Sequence, residues 1–234
     1  FNMPNGSFRL VRNHEDRNAP GAGTTAVDGH AYDRLGGGGT TTLVVDPFTR
    51  KLARDFISLN GTIGNCAGGI TPWGTWVTCE ETNAGVPQGW DEQHGYCFEV
   101  PAAADASVPA VAIPAMGRFS HEALAVDPGT WIVYETEDNG ANTSGFYRFL
   151  AHTPGVLARG GRLQMLAIDG APNYNTRLGQ TVGIALPVSW VDIADPNPPG
   201  TSSTAVFSQG AALGGASFSR LEGCWWGNGA VYFA

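Results

Sequence analysis

The sequence predicts an all-β protein, and within that class a β-propeller. Three observations carry this reading. The chain has 33 Gly and 15 Pro in 234 residues and only 15% charged side chains, a composition suited to short strands joined by tight turns. Its apolar runs are short and broken by Gly and Asp-Pro signals. Two runs also return: LVVDP at 43–47 reappears as LAVDP at 124–128, and GYCFEVP at 95–101 is echoed by GFYRFLA at 145–151. The first offset is 81 residues, about two propeller blades of roughly 40 residues each.

The elements follow in order. The opening strand is read at 8–11, followed by strands at 41–47, 74–79 and 95–100. Further strands are expected at 123–128, 131–135, 145–149, 163–168 and 188–192, with a last one at 230–234. The low-complexity stretch 101–114 reads as an exposed connection, and the proline-rich 195–200 as a stiff loop. The Ala- and Gly-rich 208–217 is expected to hold one short helix. Gly36 to Gly39 lacks the Gly-Lys-Ser/Thr of a phosphate loop and leads into a strand, so it reads as a connector.

No domain boundary is visible, and residues 1–234 read as a single propeller domain truncated at both ends. The chain opens on Phe1 and closes on an apolar strand without a polar cap, so any targeting segment is expected upstream. No apolar run is long enough to span a membrane. The formal net charge of −8, with 13 Lys+Arg against 21 Asp+Glu, leaves no basic stripe for a phosphodiester backbone, which argues against nucleic acid. Acidic clusters suit hard cations instead. The four cysteines make no CxxC pair and are too few for a disulfide scaffold; their spacing leaves a Cys66–Cys79 disulfide open.

The acids are concentrated at predicted strand ends. One group is Asn13-His14-Glu15-Asp16 and another Cys79-Glu80-Glu81. Arg118 to Glu122, Glu135 to Asn139 and Arg220-Leu221-Glu222 complete the set. Each alone would be a solvated strand end. Propeller geometry brings corresponding strand ends together, and converging carboxylates repel unless cations lie between them. A calcium ion takes six to eight oxygen ligands, and a thiolate among them favours a transition metal beside the hard one.

Read together, NHED, NCAGGITPWGTWVTCEE, GRFSHEALAVDP, VYETED and SRLEG occur in the order seen in PhoX-type alkaline phosphatases, which this chain resembles over nearly its whole length. The resemblance implies a six-bladed β-propeller, monomeric when full length and exported to the periplasm or medium. It also implies iron and calcium at one end of the channel and hydrolysis of phosphate monoesters. Carried over by motif, Cys79 would be the thiolate ligand to iron, with Glu122 and Glu222 as carboxylate ligands. Glu15 and Asp138 would complete the calcium side, joined by Glu80; Glu81, Glu135 and Glu137 are left open. Arg220 would hold the substrate phosphate, Arg118 is a second candidate for that task, and His121 could orient a ligand. Trp131 stands where the family's turn usually has Gly. Two other readings remain. One is a calcium-dependent lactonase or esterase propeller, which does not need Cys79. The other is a noncatalytic, calcium-stabilised extracellular binding propeller, which would turn over no ester.

Overall fold

The structure is a computed structural model that describes residues 1–23, 25 and 27–234. Four antiparallel sheets follow one another along the chain. The first holds β1 (Phe8–His14), β2 (Gly38–Val45) and β3 (Leu52–Thr62). The second holds β4 (Asn65–Ile70), β5 (Thr75–Glu80) and β6 (Cys97–Pro101). The third has five strands: β7 (His121–Val126), β8 (Val133–Glu137), β9 (Phe146–Ala151), β10 (Gly161–Ile168) and β11 (Val188–Asp192). The fourth is β12 (Cys224–Gly227) paired with β13 (Ala230–Phe233). One helix, α1 (Ala205–Ala212), lies between the last two sheets in sequence.

Each sheet packs on the next through its own apolar layer. Leu59 of the first sheet meets Tyr96, Phe98 and Val100 of the second. The second and third share Val77, Cys79, Cys97, Phe119, Leu124, Val133, Tyr147 and Phe149, closed below by Val206 and Phe207 of α1. The opposite face of the third sheet, with Ala123, Ala125, Phe146 and Leu166, packs on Cys224 and Phe233. The alternation is legible strand by strand: Cys97 faces one layer and Phe98 the other, as the period of two demands. Sheets covered on both faces by their neighbours are the packing of propeller blades.

The LVVDP and LAVDP echoes mark the same hairpin. Asp46 Oδ1 accepts from the Phe48 and Thr49 amides, and Asp127 Oδ1 from the Gly129 amide. Arg50 donates its amide to Asp46 O at 2.9 Å and Trp131 to Asp127 O at 2.8 Å. Both residues take the left-handed conformation, at φ 56° and 64°. Trp131 therefore keeps the turn that Gly would favour, and its ring stacks on Trp73 at 5.3 Å between centroids.

The structure differs from expectation in several places. Trp131 belongs to the turn, so β8 begins at Val133. β3, β4 and β12 were not foreseen: β3 carries Arg54 and Asp55 on an exposed half, and β4 and β12 are short and rich in Gly or Trp. The stretch 101–114 is not simply exposed, because Ala102 and Ile113 are buried and Ala112 bridges to Phe98. The helix sits slightly earlier than 208–217, since Gly210 and Gly215 pack against Met165 and the chain turns at Gly214, φ 93°.

Candidate metal centre

Antiparallel register gathers the acidic strand ends on one rim. His14 at the end of β1 pairs with Gly39, Asn65 at the start of β4 with Glu80, and His121 at the start of β7 with Glu137. β1 lies beside β4, where Asn13 Nδ2 donates to Ala67 O at 2.7 Å. β4 lies so close to β7 that a Cβ on Gly69 would stand 2.1 Å from Leu124 O, which requires glycine there. The chain around Glu222 is tied to β8 by Thr136 Oγ1, which donates to Glu222 O at 2.6 Å.

A pair of equivalent β-bulges places two key side chains. β4 shifts register against β5 between Asn65 and Gly68, and β7 shifts against β8 between His121 and Leu124. Cys66 and Glu122 each follow the first residue of such a bulge, and a bulge re-aims a side chain that regular alternation would send elsewhere. They meet across the two sheets, with Cys66 Sγ–H donating to Glu122 Oε1 at 3.0 Å. One carboxylate oxygen each from Glu15 and Glu81 and the Cys66 sulfur lie within 4.8 Å of one another. Glu222 is within hydrogen-bonding reach of Glu122, and Asp138 stands past the end of β8.

Two arginines border the acids. Arg220 forks onto Asp138, Nε to Oδ1 at 3.1 Å and NH2 to Oδ2 at 2.9 Å, and reaches Glu222 Oε1 at 3.4 Å. Arg17 bridges Glu15, at 2.8 Å, and Glu81. Arg220 has a largely exposed side chain and Arg17 a half-exposed one.

The electrostatics are those of a site short of positive charge. Burial pushes the Glu122 carboxyl up to about 7, reinforced by the charges of Glu222 and Glu81. Burial and Glu122 together raise the Cys66 thiol, and burial raises Glu81. Glu122 Oε2 is buried and accepts no hydrogen bond. A buried unpartnered carboxylate oxygen beside a thiol and two more carboxylates fits a cation, with oxygens for a hard ion and sulfur for a transition metal.

The sequence-predicted residues divide into two sets. Glu15, Glu122 and Glu222 lie in or against this cluster, and Asp138 and Arg220 stand beside it. Cys79 and Glu80 do not belong to it. On β5, Val77 and Cys79 face the apolar layer between the second and third sheets, and Cys79 Sγ lies 3.7 Å from Cys97 Sγ. Glu80 turns the other way and is fully buried. It accepts from the amides of Ile63, Gly95 and Tyr96, and from His94 Nδ1 at 2.7 Å. Its oxygens are therefore taken by protein donors. Arg118 is corrected too: it is buried, and its guanidinium donates to the carbonyls of His94, Gly200, Asn83 and Ala84. Four of its five N–H groups are thus held by backbone carbonyls. His121 points into the core, donating from Nε2 to Gly117 O at 3.0 Å and stacking on Phe119. Glu135 and Glu137 are likewise buried behind the rim. All four cysteines are free, so the Cys66–Cys79 pairing is not formed.

Sequence reasoning missed Cys66 and Arg17 as members of this cluster and left Glu81 open. The signal was faint: NCAGG and HEALA align as bulged strand starts, with Cys66 and Glu122 at the same step.

Fold and rim together define an antiparallel β-propeller that collects carboxylates, a thiol and arginines at one end. Residues 45–234 match the family described as alkaline phosphatase PhoX, and the chain belongs to that family. Among solved structures it is similar to Pseudomonas fluorescens PhoX in complex with vanadate, a transition state analogue, at 22% identity and a TM-score of 0.50. The match covers 79% of this chain and 41% of that one, so the chain spans less than half the length of that relative. No curated protein matches. No helix among the described residues is long and apolar enough to cross a membrane.

Proposed function

We propose that this chain supplies the metal-binding rim of a phosphomonoesterase that releases inorganic phosphate from organic phosphate esters. The observation that carries the reading is the Cys66–Glu122 contact with its unpartnered Glu122 oxygen, set among Glu15, Glu81 and Glu222 and bordered by two arginines. Family membership and the likeness in fold to a vanadate-bound phosphatase support it.

The ions that fit are iron at the Cys66, Glu122 and Glu222 side and calcium toward Glu15, Glu81 and Asp138. When bound, they supply the positive charge and Lewis acidity that let a phosphate dianion approach carboxylates which would otherwise repel it. The chain's own residues do the rest. Cys66 and Glu122 surrender their protons on loading and hold their positions through the paired bulges. Arg220 exchanges its fork on Asp138 for two phosphate oxygens, a bidentate grip suited to a trigonal, charge-rich transferring group. Arg17 keeps Glu15 and Glu81 oriented. The single-domain organisation, export to the periplasm or medium and a monomeric full-length protein belong to the same reading.

The test joins elemental analysis of the complete purified protein to hydrolysis of a chromogenic phosphate monoester. Iron with calcium and phosphate release is expected, and Cys66→Ala or Glu222→Ala is expected to lose both activity and bound metal. Calcium alone with lactone hydrolysis would overturn the proposal, as would either variant keeping full activity and metal content.

A further inference from the structure

A second constellation lies behind the rim, in the layer between the second and third sheets. Cys79 of β5 and Cys97 of β6 stand directly opposite in the ladder, with sulfurs 3.7 Å apart. Cys97 Sγ is 3.5 Å from His121 Nδ1 on β7, and that nitrogen is 3.4 Å from Glu135 Oε2 on β8. Cys79, Cys97, His121 and Glu135 are all essentially fully buried. Neither oxygen of Glu135 accepts a hydrogen bond. Burial raises the Glu135 carboxyl well above the usual carboxylate range, so it keeps its proton unless a cation stands beside it.

The imidazole is already set as a ligand. Its Nε2 faces Gly117 O at 3.0 Å, and a carbonyl can only accept, so Nε2 carries the proton and Nδ1 presents a lone pair. Donation of the far ring nitrogen to a backbone carbonyl is how metal-bound histidines are oriented. The Cys97 sulfur, the His121 nitrogen and one Glu135 oxygen thus lie within 4.8 Å of one another, and the Cys79 sulfur adjoins them through Cys97.

Three of the six edges of a tetrahedral ligand set have the right length: Cys79 to Cys97, Cys97 to His121, and His121 to Glu135. With bonds of about 2.3 Å to sulfur and about 2.0 Å to nitrogen or oxygen, the edges are about 3.8 Å for S–S, 3.5 Å for S–N and 3.3 Å for N–O. The observed separations are 3.7, 3.5 and 3.4 Å. A disulfide would need sulfurs at about 2.05 Å.

We propose that Cys79, Cys97, His121 and Glu135 form a closed structural site for a thiophilic divalent ion, zinc(II) foremost, distinct from the rim cluster. Four protein ligands leave no open position, which is the signature of a structural rather than a catalytic ion. Two ligands come from one sheet and two from the next, so the ion staples neighbouring blades. Loading releases both thiol protons and any carboxyl proton to solvent as the ion enters. With all four ligands buried, the ion enters as the sheets close and is retained thereafter.

The test is zinc-edge X-ray absorption and metal counting on the complete protein expressed with zinc. The expected result is one zinc per chain with two sulfur and two nitrogen or oxygen neighbours, kept in Cys66→Ser and lost, by one equivalent, in Cys97→Ser. Cobalt(II) in place of zinc should give the intense visible bands of a tetrahedral dithiolate site, again independent of Cys66. Should Cys97→Ser fail to fold, the spectra of the wild type and Cys66→Ser decide. A zinc-free protein whose Cys79 and Cys97 titrate as free thiols, a Cys79–Cys97 disulfide, or zinc with only one sulfur neighbour that leaves with Cys66 would each overturn the proposal. Because the readout is zinc and its sulfur count, it stands apart from phosphatase activity and from iron or calcium at the rim.

Discussion

Replacing Arg118 by alanine separates a structural arginine from a functional one. Its guanidinium donates to four carbonyls drawn from three segments: His94, Asn83 with Ala84, and Gly200. A hydrogen bond to a charged donor contributes about 1.5–3 kcal/mol, so four sum to roughly 6–12 kcal/mol before offsets. Burial lowers the Arg118 pKa, which signals a desolvation cost that subtracts from that sum. Water can also reach carbonyls such as that of exposed Gly200 in the variant. A net loss of about 3 kcal/mol remains, equivalent to roughly 6–12 °C in Tm for a chain of this size. The assay is thermal unfolding beside phosphate monoester hydrolysis, with rates normalised to folded protein. Arg118→Ala should melt early yet keep KM within about twofold. Arg220→Ala should melt normally and lose about 10²–10³-fold in kcat/KM, the usual cost of removing one preorganised charge donor. An Arg118→Ala protein of normal Tm with a steeply raised KM would refute the reasoning and return Arg118 to the phosphate site.

Three further outcomes follow from the same geometry. Cys66→Ser should lower rim metal by about one equivalent, whereas Glu80→Gln should leave metal content unchanged and destabilise by about 2–4 kcal/mol, since His94 loses its charged partner; elemental analysis with chemical denaturation checks both. Apoprotein metal uptake should strengthen steeply as pH rises to about 7 and less steeply beyond it, because Glu122 holds its proton below that value while the Cys66 thiol still releases its own above it; titration calorimetry should read fewer protons released at pH 8 than at pH 6, and equal release at both would contradict it. His94 is buried between Glu80 at 2.7 Å and Asp33 at 3.2 Å. Burial alone would lower its pKa, but the two carboxylates outweigh burial and raise it. The folded state therefore binds this proton more tightly than the unfolded state. Its stability is fully present below about pH 6.5 and is lost as pH rises through the folded value. Denaturant midpoints at pH 6 and 9 should show that decline, and His94→Gln should flatten it.

The fold class was legible because period-two alternation and turn chemistry are local. The Asp-Pro hairpins at 46 and 127 repeat in sequence and in hydrogen bonds alike. The general location of the site was legible for a similar reason, since acids at strand ends stand out in a chain with 15% charge. Which thiol and which glutamate reach the rim was not. CEE at 79–81 and NC at 65–66 look equally plausible on paper. The choice is made by two bulges and by the facing of β5, where one step in register exchanges core for rim.

The sequence by itself determined the all-β character, the hairpins, the acidic charge balance, and the set of residues able to bind cations. Only the tertiary structure decided their partition. It sent Cys66, Glu81 and Glu122 to the rim, Cys79, Cys97, His121 and Glu135 to the layer between sheets, Glu80 to His94, and Arg118 to backbone carbonyls. Composition and periodicity act along the chain. The partition depends on contacts between residues tens of positions apart, and no local pattern encodes which of two neighbouring side chains a bulge will turn outward.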